Sequence, residues 1–251
     1  AGERAKAMEA YGKAVDISPE HARPPQCELR RRGTAAVVAP NEADAQLAHL
    51  ARAGLADVVI TEDSDLLPFG CPAVLYKMDA AGHGRLVLRE RLAELKVASA
   101  ERAATPQLMF SPAEEWLGRV DGLFLDMCIL AGCDYLGSMP GFGIKSAQRA
   151  LRQYGSATDV VRARRMEARE PPDGGFDQYL AALEVARQTF LHQRVYDPAS
   201  RTVVPLAPQP QGTAPFAHCG ADLPPDVAVR LCADGDIHPN THAPFGPTTG
   251  A

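Results

Sequence analysis

Five carboxylates stand where elements are expected to begin or end: Glu42 and Asp44 in Pro40-Asn41-Glu42-Ala43-Asp44, Asp63 and Asp65 in Thr61-Glu62-Asp63-Ser64-Asp65, and Asp134 in Gly132-Cys133-Asp134-Tyr135. Acids at chain ends can converge on one place, whereas acids spread along helix faces are simply solvated. Two carboxylates about 4 Å apart repel by roughly 4 kcal/mol at an effective dielectric near 20, a cost that a divalent cation between them removes. Oxygen ligands without a histidine suit Mg²⁺ or Mn²⁺ rather than zinc. Each group has a blander reading in isolation. Glu42 and Asp44 fit an acidic first helical turn, and Asp63 and Asp65 fit an acidic turn, although in extended chain they share a face. Asp134 follows an apolar helix, where a buried aspartate needs a strong partner. The coincidence of all three groups favours an ion.

A second constellation is Pro140-Gly141-Phe142-Gly143-Ile144-Lys145. It reads as a glycine hairpin opening a helix, whose outward amides and dipole favour an anion such as a phosphate. Gly141, Gly143 and Lys145 are the expected contacts, and the bland alternative is a helix cap without a ligand. Cys219, Cys232, His238 and His242 lack the short cysteine spacing of a zinc finger and are set aside. His49 is expected to be solvated; Trp116, Phe124 and Tyr154 are expected to pack. Tyr135 is the aromatic residue placed to line the acidic site, with core packing as its plainer role.

The elements that must position these residues follow from periodicity. Residues 8–15 suit a helix, and Ser18-Pro19 start a second one that Pro24-Pro25 should break. Thr34–Ala39 suits a buried strand. A helix capped by Asn41, with Ala43, Leu47, Leu50 and Ala51 on one face, follows and closes at Gly54. Asp57–Ile60 is the next strand, so strand, helix and strand make a parallel unit with acids at the carboxyl ends of its strands. Residues 73–78 and 85–88 form a hairpin about Asp79–Gly84. Residues 89–115 are expected to be helical with a break near Thr105-Pro106, 121–131 form an apolar helix, and helices dominate beyond. A loop at 171–175 precedes a helix at 176–193. Pro205–Pro215 and the chain from Pro239 onward are expected to be extended.

The 251 residues are 46% hydrophobic, enough for a sizeable core, and carry a formal charge of −5. That charge excludes a generally basic coat but leaves room for a local basic surface. No run approaches the roughly 18 apolar residues of a membrane span, and Ala1–Lys6 lacks a signal-peptide core, so no membrane association is expected. The six scattered cysteines point to reduced, structural thiols in an intracellular protein.

These residues resemble the XPG/flap endonuclease family of structure-specific 5′ nucleases, and within it the exonuclease 1 branch. The likeness runs through Val38–Ala48, through Ile60–Leu67 with Phe69-Gly70-Cys71, through Lys77-Met78-Asp79, through Met127–Leu136 and through the hairpin. It continues from Thr189-Phe190-Leu191 to Tyr196-Asp197-Pro198 and fades in the last few dozen residues. The resemblance implies an α/β fold: a parallel-sheet, PIN-like 5′ nuclease core over 1–120, a helix-two-turn-helix region over 121–195 and an extended segment over 196–251. It implies that Glu42, Asp44, Asp63, Asp65 and Asp134 bind two Mg²⁺ ions and are catalytic. Asp63, Asp65 and Asp134 would hold one ion, and Glu42 and Asp44 would bind the second or orient its waters. It also implies a potassium ion held by the carbonyls of Ala131 and Phe142, by Ser138 and by Asp177.

The implied activity is two-metal hydrolysis of DNA phosphodiesters, 5′-to-3′ on duplexes and at 5′ flaps, in mismatch repair, recombination and end resection. Duplex DNA with a 5′ end, nick or flap is the implied partner, with mismatch-repair proteins beside it; a monomer in the nucleus is expected. Family members also carry an N-terminal segment with two further metal-binding aspartates, and the expectation is that this chain starts after it, leaving the N-terminal part of the core missing. A catalytically incomplete DNA-binding fragment is therefore the first alternative, and an RNA-cleaving α/β metal nuclease without the hairpin is the second.

Overall fold

A computed structural model of the protein describes residues 18–94, 96–97, 107–108, 120–167, 171 and 174–245. The helix expected at 8–15 and the packing of Trp116 lie outside them. The first described helix, α1 (Pro19–Arg31), starts as the sequence suggests, with Ser18 extended at its N-cap and Pro19 at its first position. It is not broken by Pro24 and Pro25, which lie inside it. Contacts from outside offset the two missing donors: the Arg23 guanidinium lies 4.6 Å from the Phe245 ring centroid, His238 Nε2 is 3.3 Å from Glu20 Oε1, and Arg30 donates to the Ala36 carbonyl at 2.8 Å.

Thr34–Ala39 is extended but joins no strand ladder among the described residues; the Val38 amide donates to the Cys232 carbonyl at 2.9 Å. The expected strand–helix–strand unit is therefore replaced by a different parallel pair. Strand β1 (Val59–Ile60) pairs in parallel with β2 (Ala73–Tyr76), which pairs antiparallel with β3 (Arg85–Leu88). The hairpin is as expected, its turn held by Asp79 Oδ1, which accepts from the amides of Ala81 and His83. Between Thr34–Ala39 and β1 runs α2 (Ala43–Arg52), capped by Glu42 rather than Asn41. Its buried face is Ala45, Gln46, Ala48 and Ala51, a row of small side chains that lets neighbours approach closely, and not the stripe through Leu47 and Leu50. Gly54 closes it at φ 71°.

Of the segment expected to be helical over 89–115, the described parts are a 3₁₀ turn (Arg89–Glu94) and two short antiparallel strands, β4 (Lys96–Val97) and β5 (Gln107–Leu108). Its Ala/Glu/Leu/Arg composition is made of good helix formers, but propensity is a weak prior that tertiary context overrides. The helical layer consists of α3 (Val120–Ala131), α4 (Ile144–Tyr154), α5 (Ala157–Met166) and α6 (Phe176–His192). Helix α3 is central: Leu123, Phe124, Leu125, Met127, Ile129 and Leu130 are buried in one core shared with Val59, Leu66, Phe69 and Val74 of the sheet side and Leu151, Val160, Leu183 and Phe190 of the helices. Each fully buried aliphatic or phenyl side chain contributes about 1.5–3 kcal/mol. Phe124 packs as expected, whereas Tyr154 is 37% exposed. Asp126 of α3 accepts from Arg187 of α6 at 2.6 Å and, through its other oxygen, from the first amide of α5 at 3.2 Å.

The chain beyond residue 195 is not merely extended. Strands β6 (Arg194–Asp197) and β7 (Thr202–Pro205) form an antiparallel hairpin, and a helical turn, α7 (Pro225–Ala228), continues into a π-helical stretch to Asp234. Tyr196, Val203, Ala228, Leu231, Cys232 and Ile237 make a second cluster against which Val37 and Val38 pack. No helix among the described residues is long and apolar enough to cross a membrane.

Candidate metal centre and duplex-binding face

The acidic residues come from three short structures. Glu42 caps α2 and Asp44 lies in its first turn. Asp63 begins a 3₁₀ turn (Ser64–Leu66) directly beyond β1; its Oδ1 accepts from the Asp65 amide at 2.9 Å, and its own amide donates to Thr61 Oγ1 at 3.0 Å. Asp134 and Tyr135 are the central residues of a tight turn after α3, closed by reciprocal bonds between Cys133 and Leu136 at 3.0 and 3.2 Å. Gly132 enters this turn at φ 102°, with Ser138 so near that an added Cβ would lie 3.2 Å from it. Asp134 is exposed, not buried as its position after an apolar helix suggested.

The five carboxylates share one electrostatic neighbourhood. Burial, then the charges of Asp63, Asp134, Asp44 and Glu42, push the Asp65 carboxyl up to about 6. Asp44 is raised for the same reasons, burial first and then Asp63, Glu42 and Asp134. The donor chemistry, hard oxygens that repel one another in a partly buried place, fits a divalent cation. The side chains are nevertheless spread: among the described residues no group of three or more His, Cys, Asp or Glu is gathered closely enough to hold an ion. His49, expected to be solvated, is largely buried, with Nε2 at 3.5 Å from Asp197 Oδ1, outside hydrogen-bond geometry.

Two uncharged residues help build the site: Tyr135, which the sequence places to line it, and Gln46, which the sequence does not mark. Tyr135 donates its hydroxyl to Glu42 Oε2 and sets its ring edge-on to Phe190 at 5.0 Å, so it both packs and lines the site. Gln46, 3% exposed, donates to the Tyr196 carbonyl at 2.8 Å and accepts from the Tyr196 amide at 2.7 Å, clamping α2 to β6. A buried glutamine on an alanine face was the available hint, because such a group must find partners. Beside the acids, Lys77 ends β2 in the left-handed region at φ 54°, its amide held by Glu62 Oε1 at 2.6 Å.

The hairpin before α4 is stitched by Ser146. Its Oγ accepts from the Gly143 amide at 2.8 Å and faces the carbonyls of Gly141 and Gly143 at 3.1 and 2.9 Å. Gly143 therefore turns its amide inward, not outward as expected. The amides of Ile144, Lys145 and Ser146 open α4 and have no acceptor within the helix. Gly141 takes φ 79°, and Lys145, Arg149 and Arg152 are exposed at i, i+4 and i+7, a basic stripe of which the sequence reading singled out only Lys145. Of the residues assigned to potassium, Ser138 lies against Gly132 next to Ala131, and Phe142 is buried under the Arg164 guanidinium. Asp177 is instead engaged by Arg165 at 2.9 Å.

Comparison with known proteins adds to this geometry. A family model described as the XPG I-region matches residues 33–134. Exonuclease 1 of Arabidopsis thaliana is 36% identical over 97% of this chain and 30% of its own length, and exodeoxyribonuclease 1 of Schizosaccharomyces pombe is 32% identical over 97% of this chain and 39% of its own. The chain thus spans well under half the length of these relatives. Among solved structures, the catalytic core of Rad2 in complex with DNA substrate superimposes with a TM-score of 0.51 at 18% identity, over 89% of this chain and 68% of that one. That likeness establishes an α/β nuclease-core fold.

Proposed function

The chain belongs to the XPG/flap endonuclease family of nucleases, and on that premise we propose that it acts in Mg²⁺-dependent hydrolysis of DNA phosphodiesters at 5′ ends and 5′ flaps of duplexes. The observation that carries this reading is the shared, partly buried neighbourhood of Glu42, Asp44, Asp63, Asp65 and Asp134, where burial first and then the charges of the other four raise Asp65 to about 6. Asp63, Asp65 and Asp134 would hold one ion, and Glu42 and Asp44 a second or its waters. Two such ions, when bound, supply an activated water and stabilise the leaving oxygen.

The chain's own residues do the rest. Tyr135 holds the Glu42 carboxylate, and the Asp63 side chain fixes the turn that presents Asp65. The first-turn amides of α4 and the basic stripe behind them would grip duplex phosphates without reading bases. A potassium ion near Ser138 would require Asp177 to leave Arg165. The reading extends to repair: mismatch correction, recombination and end resection by a nuclear monomer working with mismatch-repair proteins.

The spread of the carboxylates favours one other reading, a duplex-binding unit that does not cut by itself. Incubation with a 5′-labelled duplex and a 5′-flap substrate separates the two. Mg²⁺-dependent release of nucleotides, abolished by Asp65→Asn, is expected; duplex binding with no release under any metal would favour the second reading, and preference for RNA would overturn both.

A further inference from the structure

Tyr135 is joined on one side to Glu42 and on the other to the last turns of α6, since its ring meets Phe190, which itself packs on Phe69 at 4.7 Å. Phe190 is 1% exposed, so it is fixed by the core. Six residues beyond Phe190, Tyr196 holds Gln46 of α2, the helix that Glu42 caps. The acidic end of α2 is thus tied to a single seven-residue stretch, Phe190–Tyr196: Phe190 through Tyr135 to the Glu42 side chain, and Tyr196 through Gln46 to the helix itself.

Resting on the proposed metal chemistry, we infer that Tyr135 is a positioning residue, whose hydroxyl sets the Glu42 carboxylate toward the ion site and whose ring transmits the rigidity of the α6–β6 junction. Glu42 is exposed at a helix start with no side-chain bond to its own helix. Without an outside donor, several rotamers would be open to it, and each would have to be given up on binding an ion. Tyr135 removes that freedom beforehand. A hydroxyl donor does this without adding positive charge that would compete with the cation.

The test uses the metal-free chain and then Mn²⁺. In the metal-free state, Tyr135→Phe keeps the Phe190 contact and the melting temperature close to the parent value, and shifts the carboxyl carbon resonance of Glu42 while those of Asp65 and Asp134 stay in place. Mn²⁺ affinity, read by electron paramagnetic resonance, falls about 3- to 10-fold. In a Glu42→Gln background the same change costs less than about 2-fold, since the partner is already altered. An unmoved Glu42 resonance, or an equal loss of affinity in both backgrounds, overturns the inference. If Tyr135→Phe does not fold, a ring-fluorinated tyrosine at 135 serves: its fluorine signal moves on Glu42→Gln, and a signal that stays put overturns the inference. Should the parent chain bind no Mn²⁺ while the resonances move as described, the metal reading fails and the positioning of Glu42 stands.

Discussion

Asp65 is the residue whose chemistry is most at odds with folding. Its carboxyl ionises near 3.8 in open chain and is raised to about 6 here, so between those pH values the native state keeps a proton that the unfolded state has lost. Its contribution is favourable below about pH 4 and is lost as pH rises through about 6. Asp65→Asn should therefore raise the melting temperature of the metal-free chain at pH 7 by a few degrees and leave it unchanged near pH 4, measured by circular dichroism. Mg²⁺ should raise the parent's melting temperature more at pH 7 than at pH 5, where protons compete for the same oxygens, and should do little to the variant. A cation effect independent of pH would remove Asp65 from the ion site. The acids themselves were legible in sequence because they cluster where elements end. Their donors were not, since a tyrosine beside an aspartate is as often a packing residue as a ligand's partner.

At the scale of elements, the phosphate grip proposed for α4 and its hairpin has stitching and charge that are separable. Lys145→Ala should weaken duplex binding and reduce the dependence of log affinity on log salt by about 1, as fluorescence anisotropy over a salt series would show. Ser146→Ala frees the Gly143 amide and loosens the turn, so its loss should fall on affinity with the salt slope kept; a changed slope would mean that charge placement had moved too. Helices α4 and α6 and the β2–β3 hairpin could be read in advance because their periodicity and glycines are local signals. Thr34–Ala39 looked like a strand from its apolar run, but a strand also needs a ladder, and no local pattern contains its partner. Helix α1 shows the converse: Pro24 and Pro25 argued locally for a break that contacts from Phe245, His238 and Ala36 override. The β6–β7 hairpin was overlooked although Val195, Tyr196, Thr202, Val203 and Val204 flank an Asp-Pro turn, the usual sign of one.

The whole molecule is held together by a few long-range polar ties set in an apolar core. Arg187 and Asp126 join α6 to α3, and the same carboxylate reaches the start of α5. Arg187→Met leaves that aspartate buried and uncompensated and should cost about 3–5 kcal/mol, while adding Asp126→Asn recovers part of the loss. Urea melts of the two single variants and the double check this, and a double-variant loss equal to the sum of the single losses would show that the pair is not coupled. Residues of the 1–120 segment and of the 121–195 segment share one core, so the sheet side and the helical layer cannot be separated without exposing it.

Gln46 and Tyr196, bound to each other twice, lie 150 positions apart along the chain. On a ribosome, α2 emerges long before its anchor does, and a nascent polypeptide halted short of β6 has the acidic helix but not the strand that seats it. Synthesis therefore completes the seat of the acids only once β6 has been made.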